Sequence, residues 1–228
     1  MIICKFQGRF GNILLQNIGI SILSKRFDMR VHNYLDKEKC GILGCNFHVG
    51  SKSFENFVNY YDKDLVGLLK KDTIETGILF DGNFQTKGFV TEFKEDILSH
   101  FKFEEEFFEN RVFVHVRLSD VSHLNPGINY YRKALKSINF ESGFISTDSP
   151  EHEIIKKLTD EFGLTVYKNN EVETIKFARK FENIILSKGT FSWWIGFLSK
   201  YNRVLYPLDN KPWHGNIFVF EDWQGIEI

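Results

Sequence analysis

The chain has few cysteines, little net charge and no long apolar run, and each shortage excludes a class of protein. Its three cysteines, Cys4, Cys40 and Cys45, are odd in number and lack CxxC spacing, which argues against a disulfide framework or zinc site and favours buried thiols. A net charge of −1 argues against a general nucleic-acid or membrane-surface binder. No segment approaches the ~18 apolar residues of a membrane span, and the opening run is too short for a signal peptide. We therefore predict a soluble, cytoplasmic protein without a transmembrane segment.

Metal-binding patterns are also missing from the sequence. The seven histidines are scattered, and no DxD motif is present to hold a divalent ion against a diphosphate. The acids of EEEFFENR are consecutive, so they point in different directions and read as a solvated stretch. We predict that the protein uses no metal and no cofactor.

Apolar runs typical of strands alternate with helical patterns along most of the 228 residues. The alternation predicts parallel sheets and an α/β fold with two Rossmann-like halves and a cleft between them. We place the boundary between residues 107 and 108, which gives halves 1–107 and 108–228. Residues 31–75 show no regular pattern, and the end GNIFVFEDWQGIEI reads as irregular. The predicted strands are MIICKF, ILFD, RVFVHVRL, SGFISTD, LTVYK, NIIL and RVLYP. The predicted helices are ILLQNIGISILSKRF, TEFKEDILSHFKF, INYYRKALKSI, SPEHEIIKKLTDEFG, EVETIKFARKF and the helix that begins at TFSWW. In SPEHEIIKKLTDEFG, we predict Ser149 as the N-cap, Pro150 as the first helical residue and Gly163 as the residue that ends the helix.

The stretch FQGRFGNILLQ places Gly8, Arg9, Gly11 and Asn12 directly after the first predicted strand. Closely spaced glycines mark backbone that turns sharply or approaches a ligand, and the arginine and asparagine supply hydrogen-bond donors. A ligand loop and a plain strand-to-helix turn both fit this pattern.

The strand that starts at Arg111 ends in HVRLSD, with His115, Arg117 and Asp120. His115 and Arg117 share one side of the strand, so both can face one ligand, and an arginine fork suits phosphate oxygens. The alternative is a surface ion pair between Arg117 and Asp120, which would contribute little.

Two further motifs follow predicted strands, where ligands bind in parallel sheets. In FISTDSPEHE, Asp148 is able to accept hydrogen bonds from a guanine edge or a ribose, or simply to cap the next helix. In SKGTFSWW, Gly189, Thr190 and Ser192 open a helix whose N-terminus suits a phosphate. We predict that the tryptophans which follow, Trp193 and Trp194, pack in the core. Together these motifs indicate a nucleotide-diphosphate ligand.

The motifs, in their order, resemble those of the α-1,2-fucosyltransferases of glycosyltransferase family 11 and, more distantly, the α-1,6- and protein O-fucosyltransferases. GRFGNILLQNIGISILSKRF is similar to the opening GLGNQMFQYAxGxxLA of the family, DGNFQTKGFV to GYFQSxKYF, and HVRLSD to HxRRGD. NYYRKAL resembles YYxxAI, STDSPE resembles SDD, SKGTFSWWIGFLSK resembles NSTFSWWxAWL, and NIFVFEDWQ resembles IxPxDW. The resemblance covers most of the chain.

The resemblance implies a metal-independent GT-B enzyme that moves L-fucose from GDP-β-L-fucose to a glycan hydroxyl with inversion, as an α-1,2 linkage to galactose. The first half would be the acceptor side and the second half the donor side. The resemblance implies that Arg117 binds the diphosphate and stabilises the negative charge that develops there. His115 and Asp148 would hold the guanosine. The phosphate would be contacted through backbone and hydroxyl groups by Thr190, Phe191 and Ser192, and the residues that face the donor from the first half would be Arg9, Gly11 and Asn12.

The chain departs from the family pattern at several positions. Leu118 stands where the family has a second arginine, Ser119 where it has a glycine, and Ile13 where it has a glutamine. Lys188 and Gly189 replace the NS of NST, which removes a hydroxyl and adds a cation within reach of phosphate. The sequence identifies no catalytic base; Asp81 and Asp120 are acids near the motifs. Two alternatives stay open: a catalytically silent guanine-nucleotide or glycan-binding descendant, and transfer of a different sugar from a guanine nucleotide.

Overall fold

The structure is a computed structural model that describes residues 1–103, 106–119, 122–199, 203–209 and 214–228. The chain divides into two compact units. The first comprises Met1–Phe103 with His214–Ile217, and the second comprises Glu104–Trp213 with Phe218–Ile228. The assignment of acceptor and donor sides to residues 1–107 and 108–228 stays a prediction.

The first unit is built on a parallel sheet in the order β1-β3-β2. Its elements are β1 (Ile2–Cys4), α1 (Phe10–Phe27), α2 (Lys37–Ile42), β2 (Phe57–Tyr61), α3 (Leu65–Leu69), β3 (Gly77–Asp81), α4 (Lys87–Glu92) and α5 (Lys94–Leu98). The helix predicted over TEFKEDILSHFKF is interrupted at Phe93, whose φ of −111° and ψ of 24° lie outside the helical region. The parallel pairing places the loops after β1 and β3 at the same edge of the sheet.

The predicted turn GRFGN is partly helical. The helix α1 begins at Phe10, so Gly11 and Asn12 belong to its first turn. Only Gly8 in this stretch has a positive φ, at +88°. A Cβ atom at Gly8 would lie 2.3 Å from Nδ2 of Asn12, so a side chain at this position would collide with the amide.

The second unit contains a parallel sheet in the order β6-β5-β4-β7-β8-β9. Its elements are β4 (Phe108–Val116), α6 (Ile128–Lys136), β5 (Ser142–Thr147), α7 (Glu153–Phe162), β6 (Leu164–Val166), α8 (Glu171–Ala178), β7 (Phe181–Ile185), α9 (Thr190–Phe197), β8 (Arg203–Leu208) and β9 (Gln224–Glu227). Numbered within the unit, the strands follow the 3-2-1-4-5-6 order of dinucleotide-binding sheets. The strand order reverses between β4 and β7.

The apolar run in β4 reflects burial on both faces of the sheet, which is usual for a central parallel strand. Val112, Val114 and Val116 pack in one cluster with Tyr130 and Tyr131 of α6. Trp193 and Trp194 on α9 are fully buried and contact each other at 4.8 Å between ring centroids. Their predicted role in core packing is confirmed.

Several local predictions for the second unit need correction. The N-cap of α7 is His152, whose Nδ1 accepts a hydrogen bond from the N–H of Ile154, and not Ser149. The predicted stop at Gly163 is confirmed, since this residue ends α7 with a φ of +64°. β4 begins at Phe108 rather than Arg111, so the end of EEEFFENR belongs to a strand. The segment QGIE, predicted as irregular, forms β9 beside β8.

Candidate functional site

The motifs HVRLSD and SKGTFSWW meet at the point where the strand order of the second unit reverses. The first follows β4 and the second follows β7, and these strands are parallel neighbours. In open parallel sheets, ligands bind outside the carboxyl ends of the strands at such a reversal. Both motifs therefore lie where the fold itself favours a ligand.

Arg117 lies against the residue that precedes α9. A Cβ atom on Gly189 would be 3.2 Å from Nη1 of Arg117, and Gly189 adopts a φ of +113° and a ψ of 156°, which side chains rarely tolerate. The glycine thus leaves room for the half-buried arginine beside the N-terminus of α9. Both the guanidinium and a helix N-terminus carry positive charge, and both attract an anion.

The first residue of α9, Thr190, carries a buried hydroxyl. Thr190 is 2% exposed, and its Oγ1 makes no hydrogen bond among the residues that the structure describes. A buried unsatisfied hydroxyl costs about 1–3 kcal/mol. Such a group at a helix N-terminus suits an oxygen of a ligand.

His115 is buried at the end of β4 beside two residues of α9. Its Nδ1 lies 3.0 Å from Oγ of Ser192, and its ring contacts Phe191 edge-on at 5.2 Å between centroids. Burial lowers the pKa of His115 to about 4; Asp148 opposes this shift and Arg117 adds to it. His115 is therefore neutral at physiological pH.

The hydroxyl of Ser192 has two partners within the protein, and its predicted contact with phosphate stays a prediction. Ser192 is fully buried, and its Oγ accepts a hydrogen bond of 2.7 Å from the N–H of Ser187 while it contacts His115. The fold draws this hydroxyl inward to satisfy a buried backbone donor. The roles predicted for the backbone of Thr190, Phe191 and Ser192 stay predictions.

Asp148 follows β5 and binds the loop after β4. Its Oδ1 accepts from the N–H of Leu118 at 2.9 Å, and its Oδ2 accepts from the hydroxyl of Ser119 at 2.6 Å. Burial alone would raise the pKa of Asp148, but these hydrogen bonds and one from the N–H of Ser119 outweigh it, and the pKa lies below its usual value. The carboxylate does not cap α7; it fixes the loop that carries Arg117. Its predicted contact with guanosine stays a prediction.

Two neighbouring side chains have partners that the sequence alone did not reveal. Nζ of Lys188 forms an ion pair with the carboxylate of Asp209, so the added cation has a protein partner close by. Asn125 donates to the carbonyl of Arg117 at 2.9 Å and accepts from the N–H of Gly127. The turn sequence NPG was the only signal that could have singled out Asn125. Asp120 lies outside the described residues.

In the first unit, GRFGN and DGNFQ bind each other. Nε2 of Gln85 donates to Oδ1 of Asn12 at 2.9 Å. Gln16 accepts from the N–H of Gln7 and donates to the carbonyl of Gly82 at 3.0 Å. The two motifs therefore form one network at the carboxyl ends of β1 and β3.

The remaining predicted residues of the first unit lie close to that network. Arg9 is exposed and immediately precedes α1, whereas Gly11 is buried in the first turn of the helix. Oδ2 of Asp81 pairs with Nζ of Lys5 at 2.7 Å. Oε1 of Gln85 is buried without a hydrogen-bond partner among the described residues. The predicted donor contacts of Arg9, Gly11 and Asn12 stay predictions.

Other features of the described ranges bear on the sequence expectations. Cys4, Cys40 and Cys45 are buried free thiols, as predicted. Within the described ranges, no three histidine, cysteine or acidic residues are grouped as a metal site would require. None of the helices described is both long and apolar enough to cross a membrane.

Comparison with known proteins establishes the fold and not the family. No family model matches the chain, and no curated protein matches it. The structure of the E. coli heptosyltransferase WaaC with ADP is similar at a TM-score of 0.50 and 13% identity, over 99% of this chain and 92% of that chain. WaaC with ADP-2-deoxy-2-fluoro heptose gives a TM-score of 0.47 and 11% identity over the same shares. The likeness to the ADP complex confirms the predicted α/β fold of the GT-B type.

Proposed function

We propose that the chain is a glycosyltransferase that uses a sugar nucleotide, and specifically an inverting fucosyltransferase that acts on GDP-β-L-fucose. The acceptor is a glycan hydroxyl, with α-1,2 linkage to galactose as the favoured product. In this reaction the bond between the anomeric carbon of fucose and the β-phosphate oxygen breaks with departure of GDP. The acceptor oxygen forms the new bond to that carbon and releases its proton to solvent, so the products are the fucoside, GDP and a proton.

The observation that carries the proposal is the position of Arg117 beside the N-terminus of α9, where the strand order reverses. Negative charge develops on the diphosphate as the glycosidic bond breaks. A guanidinium fork and a helix N-terminus aimed at one place would stabilise that charge. These two groups give the site its anion preference, and we expect no divalent metal to be needed.

The choice of guanine as the base and fucose as the sugar rests on the resemblance of the sequence motifs, since the fold identifies neither. In the proposal, His115 and Asp148 hold the guanosine, and Arg9 and Asn12 contribute to turnover from the first unit. The E. coli heptosyltransferase binds ADP, so ADP is the natural competitor in a test of base preference.

The test is release of GDP from GDP-fucose in the presence of EDTA, with a panel of galactosides as acceptors. We expect release by the wild type and a loss of about 10²-fold or more in Arg117→Ala, the scale on which a charge-stabilising donor contributes. Arg132→Ala is the matched control, because Arg132 forms a surface ion pair with Glu161 on the helices α6 and α7. This control should retain full activity.

The outcomes separate the proposal from its alternatives. Binding of GDP without release over the acceptor panel would support the silent descendant, for which Leu118 in place of the family's second arginine is the motivating departure. Stronger competition by GDP-mannose than by GDP-fucose would indicate a different sugar. Absence of GDP binding would contradict the proposal as a whole.

A further inference from the structure

The hydroxyl of Ser192 has enough partners around it to fix where its proton lies. A hydroxyl offers one proton and two acceptor positions. The N–H of Ser187 can only donate, so it occupies one acceptor position at 2.7 Å. The other contact of the Ser192 oxygen, at 3.0 Å, is with Nδ1 of His115.

Two proton arrangements are compatible with that second contact. If Nδ1 of His115 carried a proton, it would donate to Ser192, and the hydroxyl proton would need another acceptor. No other acceptor bonds to this fully buried oxygen among the residues described. If Nδ1 carries no proton, it accepts the hydroxyl proton, and both the Ser192 hydroxyl and Nδ1 of His115 are satisfied.

We infer that Ser192 fixes His115 as the neutral imidazole with its proton on Nε2, so that His115 presents to a ligand one hydrogen-bond donor and no base. Ser192 is then a positioning residue that acts through His115. The ligand part of this inference rests on the proposed function, whereas the proton assignment does not.

The inference limits what His115 can do in the reaction. Its second nitrogen, Nε2, makes no hydrogen bond among the described residues and already carries a proton. Nε2 therefore cannot take a proton from the hydroxyl of the glycan acceptor. It can donate to an oxygen or nitrogen lone pair of a bound nucleotide. His115 therefore binds the ligand by donating a hydrogen bond, and it is not the general base that the sequence failed to identify.

The first unit contains a histidine for which the same reasoning gives the opposite answer. Nδ1 of His100 lies 2.8 Å from the carbonyl oxygen of Asp96, which can only accept, so Nδ1 of His100 carries the proton. Nε2 of His100 lies 2.9 Å from Oγ of Ser21 and accepts the proton of that hydroxyl. His100 is thus a control for the opposite tautomer in the same molecule.

The direct test is a long-range ¹H–¹⁵N correlation spectrum of the ligand-free wild-type protein at pH 7, with each signal assigned by His→Gln substitution. We expect the nitrogen shifts of His115 to show a protonated Nε2 and those of His100 a protonated Nδ1. A protonated Nδ1 on His115, a mixture of its tautomers or a doubly protonated ring would overturn the inference. None of these results depends on whether the protein binds GDP.

Two substitutions at His115 test the donor role without relying on Ser192 variants, which remove a fully buried group. Glutamine reaches the position of Nε2 with its amide and is able to donate there, whereas asparagine reaches only the position of Nδ1. We expect His115→Gln to keep the affinity for GDP within about threefold and His115→Asn to lower it about tenfold, the effect of one hydrogen bond. Equal losses in both variants, or a greater loss in His115→Gln, would contradict the donor role. If the spectrum gives the expected tautomer but the wild type binds no GDP, the proposed function fails and the proton assignment stands.

Discussion

The loops at the carboxyl ends of the strands differ between the two units in what their side chains bind. In the first unit, Asn12, Gln16 and Gln85 bind one another's loops, although Oε1 of Gln85 makes no hydrogen bond among the described residues. In the second unit, Arg117 lies beside a helix N-terminus, and the hydroxyl of Thr190 makes no hydrogen bond among the described residues. Both sets of loops are rich in polar groups, but they use them differently.

This difference shows why polar residues at a strand end are insufficient evidence of a ligand site. An amide pair such as Asn12 and Gln85 stabilises a turn without any ligand, since each group offers both donors and acceptors. A guanidinium next to a helix N-terminus offers donors alone, and an anion satisfies both. The second arrangement is the one that indicates binding.

Gly189→Ala should have the largest effect on GDP affinity, because it disturbs the place where Arg117 lies beside the N-terminus of α9. The φ of +113° strains any side chain, and the added Cβ would crowd Nη1 of Arg117. We expect the ligand-free variant to relieve this strain, so that about 1–3 kcal/mol in the binding conformation lowers the affinity for GDP by about 5- to 150-fold. Isothermal titration calorimetry with GDP measures this loss.

Gly163→Ala is the matched control for that substitution. Gly163 also has a positive φ, at +64°, but nothing lies within 4 Å of its added Cβ at the end of α7. It should lose about 1–2 kcal/mol of unfolding free energy and keep its affinity for GDP. If both glycine variants bind GDP like the wild type, the contact between Arg117 and Gly189 has no part in binding.

Asn12→Ala should have a smaller effect, and on stability rather than on nucleotide binding. It removes the acceptor for Nε2 of Gln85, which is 5% exposed, and leaves a buried donor unsatisfied. We expect the unfolding free energy to fall by about 1–3 kcal/mol and the Kd for GDP to change less than about twofold. Urea denaturation followed by circular dichroism, together with calorimetry, measures both quantities.

A double-mutant cycle with Gln85→Ala separates the pair from its surroundings. A coupling free energy near zero would mean that the hydrogen bond contributes nothing to stability. A large loss of GDP affinity in Asn12→Ala at unchanged stability would reverse the contrast between the units and favour the predicted contact of Asn12 with the donor.

The sequence predicted those features of the fold that depend on local patterns. The alternation of strands and helices, the stop at Gly163 and the core position of Trp193 and Trp194 follow from periodicity, from glycine chemistry and from apolar size. β9 escaped prediction because QGIE is short and partly polar, and only its pairing with β8 makes it a strand.

The candidate site was predicted in its location but less well in its contacts. Periodicity placed HVRLSD and SKGTFSWW at strand ends, where the structure has them, but it gave no strand order, and the reversal between β4 and β7 was therefore not predicted. The partners of Ser192, Asp148 and Lys188 are set by residues 5 to 77 positions away in sequence, so no local pattern could reveal them. Those contacts decide which polar groups remain available to a ligand.

The most direct test of the contrast between the units is Thr190→Val, measured both for thermal unfolding and for GDP binding. Valine has nearly the shape of threonine but lacks the buried hydroxyl, which makes no hydrogen bond within the part of the chain that the structure describes. If this hydroxyl serves a ligand, the variant should unfold at the same or a higher temperature without ligand and bind GDP about tenfold more weakly. A variant that is less stable and binds GDP like the wild type would contradict the account, because the hydroxyl would then serve the fold and not a ligand.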